Sequence, residues 1–256
     1  MKTVASFAVS LAVLAVAVSF TAEAQEQKPL STMTNSIGME LVLLPAGDFI
    51  MGGPGRGKGP DKPPHRVNIT KPFWMSTHEV TQREYEAAGC VNKSTNLGPE
   101  LPVHDVLWEK AVDFCRKLSE KENATYRLPT EAEWAYACRA NKGAVYGSAE
   151  LMEHAWYKDN SGLKMHEVGK KKPNAWGLYD MCGNLWEWCS DWFSKTYYKK
   201  SPVDDPQGPP KGHDRVLRGG CWYSYPSAAS CYYRYRLNEK ACGLKGGDVG
   251  FRVVKE

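Results

Sequence analysis

Short alternating and periodic runs, separated by turn residues, set the pattern of this chain. Met39 to Met51 (MELVLLPAGDFIM) predicts two short strands interrupted at Pro45-Ala46-Gly47. Two helix starts follow. Thr81-Gln-Arg-Glu84 has capping-box spacing, with Val80 and Tyr85 placed as a hydrophobic staple, and Thr130-Glu-Ala-Glu133 repeats the box after Pro129. Between them Leu107, Trp108, Ala111, Val112, Phe114, Cys115 and Leu118 recur at helical spacing and predict a core-facing stripe. Beyond about residue 140 the helical period fades into aromatic runs divided by Gly, Pro and Asn. Two further strand-like runs frame the end of the chain, one leading into Gly219-Gly220 and one from Gly250 to Val254.

The one long apolar run, Val4 to Phe20, follows Lys2 and precedes Ala22-Glu23-Ala24. That order predicts a secretory signal peptide over 1–24, cut near Ala24, and hence an exported chain with no membrane segment after cleavage. Residues 25–36 are polar and predict a flexible mature N-terminus. No linker or repeat divides 37–256, which predicts one domain. A net charge of +4, with scattered basic residues, gives no basic stripe for nucleic acid. The Gly/Pro/Lys-rich stretch 52–64 is a loop and lacks the Gly-Lys-Ser/Thr of a phosphate cradle. His65, His104, His154, His166 and His213 are isolated, and His78 reads as a brace for the loop before Thr81.

Eight cysteines in an exported chain favour disulfides. Spacing alone leaves their connectivity open. Nine tryptophans and thirteen tyrosines point to a domain held together largely by aromatic packing among loops and short strands.

Several segments together resemble the formylglycine-generating enzyme family, the sulfatase-modifying factor domain. They are GMELVLLPAGDFIMG (38–52), His78-Glu-Val-Thr81, Arg127-Leu-Pro-Thr-Glu-Ala-Glu-Trp134, the stretch Asn174 to Trp188 (NAWGLYDMCGNLWEW), Arg218-Gly-Gly220 and Gly250-Phe-Arg252. The resemblance spans about 37–255. It implies an α+β, irregular single domain of the C-type-lectin-like class with little regular secondary structure.

The same resemblance implies a chemistry. Family enzymes oxidise a cysteine of a sulfatase peptide to formylglycine, using oxygen and a copper ion held by two thiolates, soft ligands suited to Cu(I). The first thiol stands four residues past the Gly-Gly pair, where this chain has Ser224. Cys231 precedes Arg234-Tyr-Arg236 as the second family thiol does, over a longer stretch, and is the candidate catalytic residue. Cys221 stands where the family usually has serine. Three arrangements stay open: a disulfide from Cys231 to Cys221 or Cys242, unpaired thiols, and a rearranged copper pair of Cys231 with Cys221. The family also implies a calcium ion on the Glu187 carboxylate and the backbone carbonyls of Cys182, Gly183 and Leu185, oxygen ligands suited to a hard cation.

Without the copper pair, what remains is a surface rich in Tyr, Ser and Arg, the composition of adaptable recognition sites. Trp222, Tyr223, Tyr225, Tyr232, Tyr233, Arg234 and Arg236 are the candidate ligand-binding residues. Two functions are carried forward: a non-oxidising module that binds a peptide or protein, a sulfatase among the candidates, and a formylglycine-generating oxidase with an altered thiol pair.

Overall fold

The computed structural model describes residues 30–54, 59–140, 148–243 and 246–256. The signal-peptide reading falls on residues outside this set, as does 25–29. The strands predicted around Pro45 form as β2 (Glu40–Leu44) and β3 (Gly47–Met51), preceded by β1 (Thr32–Thr34) and followed by β4 (His65–Ile69) and β5 (Phe73–Ser76). β1 corrects the expectation of a flexible stretch there: Thr32 to Thr34 pair antiparallel with Val42 to Glu40. Its three residues, Thr-Met-Thr, are too few to show a hydrophobic period, although Met33 packs against the core. The strand is fixed by the unpaired backbone edge that β2 offers.

Both capping boxes close as read. Thr81 accepts from the Glu84 amide while Glu84 accepts from the Thr81 amide, opening α1 (Gln82–Ala87). Thr130 and Glu133 do the same for α3 (Glu131–Arg139). Between them lie α2 (Trp108–Glu122) and β6 (Tyr126–Arg127). The α2 stripe buries Ala111, Phe114, Cys115 and Leu118, whereas Val112 lies at its margin and is exposed. The remaining elements are α4 (Ser148–His154), β7 (Trp186–Trp192), β8 (Asp214–Arg218), β9 (Tyr235–Asn238), β10 (Val249–Gly250) and β11 (Val254–Lys255).

These strands make a five-stranded sheet in the order β1-β2-β5-β11-β6, a four-stranded sheet β10-β7-β8-β9, and the ribbon β3-β4. The run Gly250 to Val254, expected as one strand, divides. β10 pairs parallel with β7 in one sheet, and β11 inserts between β5 and β6 in the other. Phe251 to Val253 cross the gap fully buried, Phe251 stacking edge-on to Phe114. Arg252 sits in that crossing, and its charge is met by Glu187 on β7. No helix among the described residues is long and apolar enough to cross a membrane.

Candidate functional site

The segment after β8 is shaped by two left-handed glycines. Gly220 has φ +82°, and a Cβ there would lie 2.8 Å from the Ala228 carbonyl oxygen, so only glycine lets the 225–231 turn fold back onto the strand end. The returning turn brings Cys231 to Cys138, the penultimate residue of α3, and the two form a disulfide. This corrects the expected pairing of Cys231 with Cys221 or Cys242. Cys242 is an exposed free thiol. Cys221 is buried in a tight turn with Ser224, whose hydroxyl accepts from the Cys221 amide at 2.9 Å and lies 3.4 Å from its sulfur. Burial pushes the Cys221 thiol up to about 11. The copper pair proposed from sequence is therefore not assembled: one sulfur is spent in a disulfide and the other is a neutral, hydrogen-bonded thiol.

Beneath the turn lies an ionic knot that sequence reasoning did not anticipate. Glu131, the first residue of α3, accepts from Arg234 at 2.5 and 2.6 Å and from the Tyr198 hydroxyl at 3.1 Å. Arg218 stands 3.8 Å from the same carboxylate and donates to the carbonyls of Cys231, Tyr232 and Tyr233. Burial opposes ionisation of Glu131, yet Arg234 and Arg218 hold its carboxyl below the usual range. Arg234 is thereby committed to the scaffold. Only the position of Glu131 inside RLPTEAEW hinted at a role, since local capping already accounts for Glu133.

Above the knot opens a cavity of about 490 Å³. The loop residues Pro54, Pro60, Asp61 and Lys62 form one wall, and Pro226, Ser227, Ser230, Tyr232 and Tyr233 form the other. The candidate ligand residues divide accordingly. Tyr232 and Tyr233 line the cavity, with Arg234 at its base. Trp222 and Tyr223 instead pin the loop from behind, donating to the Gly247 carbonyl and to the Asp248 carboxylate at 2.9 Å each. Tyr225 is exposed and carries Lys158 over its ring, while Arg236 pairs with Asp214 at 3.0 Å on the outer face. Sequence spacing could not have found the opposite wall, which comes from the Gly/Pro/Lys-rich loop.

The calcium ligand set fits poorly. Glu187 is wholly buried, and both of its oxygens accept from Arg252 at 2.7 Å; Oε2 also accepts from Trp134 Nε1. A guanidinium thus occupies the cation's place beside the carboxylate. Gly183 is required nearby for a different reason: at φ +84° its absent Cβ would meet the Trp156 carbonyl oxygen at 2.1 Å. The carbonyls of Cys182, Gly183 and Leu185 are therefore presented by a turn fixed through packing.

With fold and site in view, residues 26–256 match the family model described as the sulfatase-modifying factor enzyme 1-like domain, and the chain belongs to that family, with its C-type-lectin-like fold. It is 33% identical over 202 residues to a formylglycine-generating enzyme of Streptomyces coelicolor, covering 72% of this chain and 61% of that protein. It is 31% identical over 267 residues to the serine/threonine-protein kinase pkn1 of Chlamydia pneumoniae, covering 91% of this chain but only 40% of the kinase. The chain thus spans about half the length of these relatives. Among solved structures, Treponema denticola variable protein 1 superposes with a TM-score of 0.77 at 30% identity, covering 88% of this chain and 98% of that one.

Proposed function

We propose that this chain is an exported, non-oxidising binding module whose Tyr232–Tyr233 cavity takes a peptide or a segment of a protein. The observation that carries this reading is the Cys138–Cys231 disulfide, whose Cys231 stands in sequence between the cavity-lining Ser230 and Tyr232. It removes the one thiol in family-like position, and the cavity above keeps a size and lining suited to recognition. Tyr232 and Tyr233 supply rigid aromatic area, Ser227 and Ser230 supply hydroxyls, and Lys62 and Asp61 supply charge on the facing wall. The disulfide also suits an oxidising compartment, in line with the expected signal peptide. The Streptomyces coelicolor and Chlamydia pneumoniae relatives are named as enzymes, and their activities stay with them.

A peptide array followed by calorimetry on the best binders tests the proposal. Tyr233→Ala is expected to weaken a bound peptide by about tenfold, the loss of an aromatic anchor worth somewhat over 1 kcal/mol. Conversion of the cysteine in a CxPxR peptide by the untreated protein, read as a mass change at that residue, would overturn the reading and restore the oxidase.

A further inference from the structure

A second cavity, of about 500 Å³, lies beside α2 and shares no lining residue with the one above the ionic knot. Its size falls in the range of small-molecule sites, which join an apolar lining to a few placed polar groups. The inner wall is apolar. Tyr85, Val103 and Val106 are buried members of the core, and the half-buried Leu107 extends them. Cys90 belongs to the same wall, and burial raises its thiol further above neutrality, so it adds no charge. Val91 stands at the edge with 78% of its surface in water, apolar area that a ligand would cover with gain.

The polar residues of the lining divide into two groups. Those of the first are already satisfied by the protein. His104 Nε2 accepts from the amides of Thr95 and Asn96 at 3.1 and 3.3 Å, and burial lowers its pKa, so the ring is neutral. Asp105 accepts from the Gly247 amide at 2.6 Å and the Thr95 hydroxyl at 3.3 Å. Asp113 pairs with Arg116 at 2.7 Å and Lys117 at 3.6 Å, and Lys117 also donates to the Gly89 carbonyl. Lys93 and Lys110 form the second group. Both are exposed, and neither takes part in an ion pair among the described residues; Lys110 acts on Asp113 only from beyond that range. An ordinary surface lysine needs no partner, since water solvates it. These two differ in that an apolar interior of ligand size opens beside them.

We propose that this cavity is a second ligand site, taking a small amphipathic carboxylate such as a medium-chain fatty acid. The apolar chain lies against Tyr85, Val103, Val106 and Leu107, and the carboxylate meets Lys93 and Lys110 at the mouth. Burial of the chain supplies most of the affinity. The two ammoniums supply the choice of an anion over a neutral or cationic amphiphile of the same length. The inference is independent of what the Tyr232–Tyr233 cavity binds.

The test uses the whole, unreduced protein and dodecanoate kept below its micelle concentration. Calorimetry should find one saturable site. Dodecanol, the chain without the charge, and acetate, the charge without the chain, should each bind weaker by about tenfold or more. The double variant Lys93→Gln, Lys110→Gln should weaken dodecanoate by about tenfold. Lys199→Gln with Lys200→Gln, the same charge removed from an exposed pair elsewhere, should leave it unchanged. Cys242 reports the location: it lines the cavity and is the one exposed free thiol among the described residues. Saturating dodecanoate should therefore slow its reaction with a maleimide severalfold. That protection is read on the wild-type protein, so it decides the matter even if the double variant fails to fold. Absence of saturable binding, equal binding of dodecanol, equal loss in the two lysine pairs, or an unprotected Cys242 would each overturn the site.

Discussion

Arg252 clamps Glu187 through two 2.7 Å hydrogen bonds, with both side chains wholly withdrawn from solvent. Arg252 also donates to the carbonyls of Ser76, Thr77 and Tyr179. One guanidinium therefore ties β7 of one sheet to the end of β5 in the other. Breaking such a pair strands a buried charge. Arg252→Ala is expected to cost about 3–5 kcal/mol, lowering Tm by roughly 10 °C for a domain of this size. Thermal unfolding by circular dichroism checks it, and a shift below about 2 °C would mean that the pair is not formed.

The same clamp predicts the response to calcium. With Arg252 in place, millimolar calcium should leave Tm unchanged. A site with affinity 1,000-fold below the calcium concentration would add about 4 kcal/mol, which the same melting curve would register. A calcium-dependent rise that is lost in Glu187→Gln would restore the family ligand set.

Six of the eight cysteines are free, so thiol titration in denaturant without reductant should count six. Cys138→Ser should raise the count to seven by releasing Cys231. The bridge spans a sequence separation of 93 residues, and its removal is expected to cost about 2–5 kcal/mol, measured by chemical denaturation. A native count of eight would contradict the bridge.

Asp191 provides a pH signature. Burial, and then the neighbouring Glu131, raise its carboxyl from 3.8 to about 7 in the folded protein. In the unfolded chain it ionises near its ordinary value. Between those two pH values the folded state holds the extra proton, so stability falls as pH rises through the window. Asp180, raised by burial to about 6, acts with the same sign. Asp191→Asn should flatten this part of the stability–pH profile while Tm below pH 4 changes little. An unchanged slope would place the titration elsewhere.

What could be read from the sequence follows the range of the interactions. The boxes at Thr81 and Thr130 were legible because their partners lie three residues away, and the α2 stripe because its period repeats over fifteen residues. Family motifs carried the fold class, which no local pattern would have given. The disulfide and the Glu131–Arg234 pair were not legible, since their members stand 93 and 103 residues apart. Spacing cannot say which loop returns to which helix. Val112 shows a smaller limit: periodicity marks the face of a helix without fixing how far the neighbouring chain covers it.

The split of residues 249–255 bears on when this domain can fold. β11 is an interior strand of the five-stranded sheet, so β5 and β6 have no common partner until Val254 and Lys255 arrive. On a ribosome, the facing edges of β5 and β6 must wait unpaired for the last few residues of the domain to emerge. Such long-range closure makes folding slow and leaves the growing chain open to aggregation. For a chain exported as proposed, the late arrival of β11 keeps the five-stranded sheet incomplete until the whole domain has been made.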